Sequence, residues 1–435
     1  MSRPRPMPAA PARDVPRVIW SWACYDWANS AFTTLVATFI YSTYFTKAMA
    51  PDEVTGTLWW SRAVALSSLV SAALAPVLGA AADRAGAQKR FLGFSTGVCV
   101  TATAALAFVA PGRPDAALLA LALFVIGDVA FELGYVFYNA FLPVIASPER
   151  IGRVSGYGWG LGYLGGLVCM VAALVGFVQP ATPWFGLSTQ DGFNVRATNL
   201  LVAAWFVVFA LPLFLMVPER RLAAVRVDAR AAFGELAKTF REIRRYKEMV
   251  TFLIARLIYN DGLVTIFVFG GIYAAGTFGM PLSEVIVFGI VLNVAAGLGS
   301  LAFGWVDDKL GGKVTILVTL VALTAGTLIA ALAPNKTWLW VAGVLIGTFV
   351  GPNQSASRSL MGRLVPEGRQ AEFFGFFAFS GRVTSFLGPI LLGSVSAAAG
   401  SQRAGVATLV SFFLVGGLIL MSVDERAGIE AARAG

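Results

Sequence analysis

Asp128 and Glu132 stand four residues apart in a stretch that is otherwise almost wholly apolar, Ala122-Leu-Phe-Val-Ile-Gly-Asp-Val-Ala-Phe-Glu-Leu133. On a helix this spacing stacks both carboxylates on one face, one turn apart. In a medium of low dielectric they cannot both ionise readily, so one of them is suited to pick up and release a proton. Other strongly polar side chains interrupt apolar runs in the same way: Asp26 and Asn29, Asn139, Arg256 with Asn260 and Asp261, and Asn353 with Gln354 and Arg358. Such groups are costly in hydrocarbon, and each calls for a partner or a task. Both signs are present. A zwitterionic solute could set its cationic part on Asp26 or Asp261 and its anionic part on Arg256 or Arg358. The competing reading makes the Asp128 and Glu132 pair static, held by Arg62 or Arg256.

What is missing narrows the chemistry. The chain has no histidine, and its three cysteines, Cys24, Cys99 and Cys169, all fall inside apolar runs. No spaced metal-ligand set, disulfide framework or phosphate-binding Gly-rich loop can be assembled, so no cofactor is expected and any proton relay must use carboxylates. An enzyme loses ground accordingly. A receptor is disfavoured because no soluble sensory or output domain is apparent.

The elements that would position these residues follow from composition. With 57% hydrophobic residues, 13% charged residues and mean hydropathy +0.74, the chain is too apolar for a soluble surface. Lipid is the alternative solvent, and long apolar runs without period-two alternation make the spans helical. Twelve are expected, at about 18–46, 57–82, 91–110, 116–145, 154–178, 198–217, 249–277, 283–306, 314–333, 337–362, 372–399 and 404–422. They divide into a tail (1–17), a six-helix bundle (18–217), a basic linker (218–248), a second bundle (249–422) and a tail (423–435). Within the linker, Phe233, Leu236, Phe240 and Ile243 share one face, as expected of a helix lying on the membrane surface.

Lys and Arg set the orientation. Loops on the side of the N-terminus hold 24 of them and the opposite loops hold 5, which places both termini in the cytoplasm of a cell inner (plasma) membrane. The net charge of +9 is thereby a topological signal that suits anionic lipid and requires no nucleic acid.

Two stretches repeat at half the chain length. Gly79-Ala-Ala-Ala-Asp83-Arg84-Ala-Gly86 answers to Gly304-Trp-Val-Asp-Asp308-Lys309-Leu-Gly311, an offset of 225 residues, each after the second span of its half. Pro148-Glu-Arg150 leading to Gly156 answers to Pro366-Glu-Gly-Arg369 leading to Gly375, each between a fourth and a fifth span. The order and direction are preserved, which implies two parallel copies of one six-helix bundle. Asp83 and Asp308, beside basic residues at these turns, are expected to latch one conformation through charge contacts. Gly86 and Gly311 allow the tight turn, and the glycines of the fifth span with Gly297, Gly299 and Gly304 allow close helix packing. Trp59, Trp60, Trp338 and Trp340 read as interface anchors.

The stretch Gly79–Arg90 resembles the signature loop of the major facilitator superfamily. Tyr25-Asp-Trp-Ala-Asn-Ser-Ala-Phe32, Tyr138-Asn-Ala-Phe-Leu-Pro143, Ser357-Arg-Ser-Leu360 and Phe379-Ser-Gly-Arg-Val-Thr-Ser-Phe-Leu-Gly-Pro389 are similar to the vacuole effluxer-like branch, and the likeness covers all twelve spans. It implies a secondary transporter working by alternating access, with spans 1, 4, 7 and 10 lining the path and amino acids as the solutes released by fungal members. A sugar or an organic acid is the alternative cargo. The fifth span, Gly156-Tyr-Gly-Trp-Gly-Leu-Gly-Tyr-Leu-Gly-Gly166, lacks the Gly-Pro element of drug/proton antiporters. The expectation is a proton-coupled carrier acting as a monomer.

Overall fold

The computed structural model describes residues 13–113, 115–219 and 243–434. The apolar face expected at Phe233, Leu236 and Phe240 lies outside them. The described chain is helical: α1 (Pro16–Ala31), α2 (Glu53–Ala85), α3 (Gln88–Leu106), α4 (Ala116–Ala140), α5 (Ile151–Ala173), α6 (Thr198–Met216), α7 (Lys247–Phe278), α8 (Leu282–Leu310), α9 (Gly312–Leu332), α10 (Lys336–Leu364), α11 (Gln370–Arg382), α12 (Leu387–Ala399), α13 (Gln402–Met421) and α14 (Glu425–Arg433). Among the described residues nine helical stretches are long and apolar enough to cross a membrane. The helical segments 16–49, 88–106 and 336–364 are not among the nine. The first is broken into α- and π-helical pieces, and the third carries Asn353, Gln354 and Arg358.

Local chemistry sets the ends. Asp52 caps α2 by accepting from Val54 N (3.0 Å), Thr55 N (2.9 Å) and Thr55 Oγ1 (2.6 Å). The Thr55 bonds hold its carboxyl below the ordinary carboxylate range. At its far end α2 runs through the expected hinge: Gly79–Ala85 are its last two turns, and the chain reverses only at Gly86, in the left-handed region at φ 56°. One expected span is interrupted. The stretch 372–399 divides into α11 and α12 across residues 383–386. Pro389, three residues into α12, has no N–H to offer the Ser385 carbonyl and crowds it, so a continuous helix is disfavoured there.

Most helix packing stays within each half of the chain, and a few crossings join the two halves. Helices α1, α5 and α6 pack together, as do α3 with α4 and α9 with α10 and α13, while α5 lies along α8, α2 along α11, and α10 reaches α5. Gly79 and Gly304 sit in close crossings between the halves. A Cβ at Gly79 would run into the Ala371 carbonyl, and one at Gly304 would lie 2.8 Å from Arg153 Cα. Trp60 departs from the expected interface role: it is buried, its ring 4.1 Å from that of Phe124.

Candidate functional site

The deepest polar cluster is built on Arg358. Its side chain is 1% exposed, and Nη1 lies 2.9 Å from Asp26 Oδ2. The remaining donors are used as well: Nε to Ser155 Oγ (2.9 Å), Nη2 to the Ser155 carbonyl (2.7 Å), and Nη1 to Asn139 Oδ1 (3.3 Å). Tyr138 donates to the same Asp26 oxygen at 2.9 Å, and the rings of Trp22, Tyr138 and Trp159 surround the guanidinium at 4.9, 5.7 and 5.6 Å. From the sequence, Asp26 and Arg358 are expected at opposite ends of a solute. Here they hold each other, because a buried charge without a partner would cost several kcal/mol.

The α4 carboxylates have a different counter-ion from the one expected. Glu132 pairs with Arg382, at the end of α11, and Asp128 accepts from Ser67 Oγ at 2.5 Å. Arg62 is exposed on α2. Arg256 instead serves the interrupted helix, donating to the Phe377 carbonyl (2.7 Å) and Ser380 Oγ (2.9 Å) with its guanidinium 3.6 Å from the centroid of the Phe377 ring. Its neighbours on α7 do likewise. Asn260 donates to the Gly381 carbonyl (3.1 Å), Thr384 Oγ1 to the Leu257 carbonyl (3.2 Å), and Gly388 N to Asp261 Oδ2 (3.1 Å). Through that bond Asp261, 2% exposed, serves the start of α12, and its Oδ1 has no partner among the described residues.

Of the remaining candidates, Asn353 turns away to Thr319 Oγ1 (2.8 Å) on α9, while Gln354 accepts from Tyr163 across the halves at 3.0 Å. Asn29 is buried with its Nδ2 unpaired among the described residues.

The repeated turns meet the opposite half. Asp83 accepts from Ala371 N (3.1 Å) and Glu372 N (2.8 Å), the first amides of α11, and from Gln88 Nε2 (2.6 Å). Asp308 accepts from Gly152 N (2.9 Å), Arg153 N (3.2 Å) and Arg153 Nε (2.5 Å) at the start of α5. The expected contacts with adjacent basic residues do not form: Arg84 and Lys309 are exposed. Each carboxylate sits at the positive end of a helix in the other half, where a negative charge is favoured by about 0.3–1 kcal/mol, rising to ~2 when partly buried. Between the two turns, Asp307 accepts from Ser359 and from Arg363 (2.6 Å).

Sequence reasoning missed Arg382, Ser155, Tyr138, Trp159 and Tyr163, and a second pair of caps. Glu219 accepts from Lys89 N (2.7 Å), and Glu425 accepts from Gly312 N (3.1 Å) and Lys313 N (3.0 Å). Lys89 Nζ reaches the Val217 carbonyl (2.6 Å) and Lys313 Nζ the Met421 carbonyl (2.8 Å). The readable signal was a glutamate two residues after a valine, Val217-Pro-Glu219 and Val423-Asp-Glu425. Among the described residues no group of three or more His, Cys, Asp or Glu could hold a metal ion.

This arrangement of helices is that of the major facilitator transporters. The crystal structure of FucP, a transporter of that superfamily in its outward conformation, superposes with a TM-score of 0.73 over 94% of this chain and 99% of its own at 15% identity. A family model described as vacuole effluxer Atg22 like matches residues 61–152 and 147–433, and the chain belongs to that family. The uncharacterized MFS-type transporter YxiO of Bacillus subtilis is 28% identical over 95% of this chain and 96% of its own length. Autophagy-related protein 22-1 of Penicillium rubens is 23% identical over 63% of this chain, which spans about half (50%) of that relative's length. Relatives and structural neighbours are transporters rather than enzymes.

Proposed function

We propose that this protein is a secondary transporter that exports a small polar solute, amino acids first, coupled to protons through Asp128 and Glu132. Twelve spans in two parallel six-helix repeats, 18–217 and 249–422, would form it, acting as a monomer in the inner membrane with both termini cytoplasmic. The observation that carries this reading is the reciprocal capping by Asp83 and Asp308. Each half closes the other at one end through a carboxylate on a helix start, an arrangement with two discrete states, joined or parted.

The hydrogen bonds and ion pairs joining the halves run from these caps up to Tyr163, Gln354 and the Glu132–Arg382 pair. With the latched end cytoplasmic, the described conformation is the outward-facing one. Gly79, Arg84, Gly86, Gly304, Lys309 and Gly311 then belong to the gate as its turns, close crossings and solvated flank. The solute would sit between the halves above the Asp26–Arg358 pair, near Asn29, Asn139, Arg256, Asn260, Asp261, Asn353 and Gln354. Amino acids rest on the family likeness. The test is uptake of radiolabelled amino acids into proteoliposomes without nucleotide: accumulation driven by an imposed pH gradient is expected, and no flux of any amino acid, sugar or organic acid would remove the transporter reading.

A further inference from the structure

Arg382 differs from the other buried cations. Arg358 is spent on Asp26, Ser155 and Asn139, whereas Arg382 is the last residue of α11, where the helix stops. Its side chain is 38% exposed, against 10% for its partner Glu132 in the other half. Across the break, Arg256 lies on the Phe377 ring with no carboxylate partner among the described residues, and it feels the charge of Arg382 and the hydroxyl of Tyr135. Of these two guanidiniums, only that of Arg382 contacts a carboxylate of the other half among the described residues. The groups acting on Glu132 are Asp128 and Arg382; Tyr135 lies one turn beyond on its own helix. Asp128 is held by Ser67 of α2 and lies within electrostatic reach of Cys99 of α3.

We infer that Arg382 is the receptor for an anionic group of the solute, a carboxylate or similar oxyanion, and that Glu132 is its built-in competitor. The inference rests on the transporter reading above. Ionised Glu132 occupies Arg382 and keeps the site closed to anions. A proton taken onto the Glu132 carboxylate on the side where solute is loaded frees the guanidinium, and the solute's anionic group takes the vacated place with Arg256 as the second cation. Release on the other side runs in reverse: Glu132 gives up its proton and pairs with Arg382 again. The proton and the solute cross in the same direction, so export runs down the solute's own gradient and takes a proton out with it. One proton enters with each anionic group, so a monoanion moves without net charge and a zwitterion carries one positive charge per cycle. The helix break allows the exchange, since Arg382 ends α11 while five hydrogen bonds between α7 and residues 377–388 fasten the flanking segments.

The experiment uses the purified full-length protein and four probes, L-alanine, L-leucine, L-glutamate and succinate, each against its carboxamide, with thermal stabilisation titrated in mildly acidic and mildly alkaline buffer. At least one carboxylate is expected to stabilise the wild type, and more strongly in acid. Glu132→Gln should bind that carboxylate about tenfold more tightly with the pH dependence gone, as expected when the competent fraction rises from about a tenth to near unity. Arg382→Gln should lose binding, and Arg382→Lys, which keeps the pair, should weaken it while retaining the pH dependence. Stabilisation by carboxamides equal to that by the acids overturns the assignment, as do wild-type pH dependence in Glu132→Gln and failure of all four carboxylates to stabilise that variant. Should Glu132→Gln not fold, unchanged affinity in Arg382→Lys is the overturning result. Flux of a carboxamide into proteoliposomes would leave transport standing and remove only the anion receptor.

Discussion

Asp26 and Arg358 are 332 residues apart in the chain and 2.9 Å apart in the fold, with both side chains almost fully withdrawn from solvent. Removing one partner strands the other charge. Asp26→Asn or Arg358→Gln should therefore destabilise the protein by on the order of 3–5 kcal/mol. The double replacement should recover part of that loss, because no lone charge remains. Thermal unfolding in detergent reads both effects, and single variants as stable as the wild type would show that the pair is dispensable. At this scale the sequence displayed the residue types and concealed the pairings. Glu132, Asp26 and Arg358 announced themselves as charges in apolar runs, yet nothing local says that Arg358 takes Asp26 or that Glu132 takes Arg382. Those contacts arise only when distant helices are brought together, and Arg382 was passed over although it lay within an expected, uninterrupted span.

Asp83 and Asp308 act on helices, and their effect belongs to the elements they join. Asp83→Asn keeps the size of the side chain and one acceptor oxygen but removes the charge at the start of α11. A loss of about 1 kcal/mol from the latched state is expected, about a fivefold shift toward the other conformation, with normal expression and altered exchange rate. Equal transport by wild type and both the Asp83 and Asp308 variants would dismiss the latch. The recurrence of the turn was legible because Gly79, Asp83 and Gly86 return in order as Gly304, Asp308 and Gly311. The target of each carboxylate was not legible, since the motif fixes a turn and leaves open which helix start it meets. The break after Arg382 was signalled by Pro389, whose effect on the preceding turn outweighs the apolar pattern around it.

Around the second repeated turn the charges form one connected cluster. Arg363 lies 2.6 Å from Asp307, 3.9 Å from Asp308 and 3.7 Å from Glu425, and Glu425 in turn caps α9 from the first residue of α14. Glu425→Ala should free α14, so hydrogen exchange across 425–433 should rise while the bundle amides keep their protection; unchanged exchange would mean that other contacts dock this helix. The central claim is that the two halves alternate about a site between them, and interspin distances test it most directly. After the native cysteines are replaced, one label pair at Arg150 and Lys309 spans the latched end, and a second at Lys47 and Ala275 spans the opposite end; all four positions are exposed. In the Asp83→Asn, Asp308→Asn double variant the first distance should lengthen as the second shortens. Two distances that stay fixed, or that change with the same sign, would contradict the account.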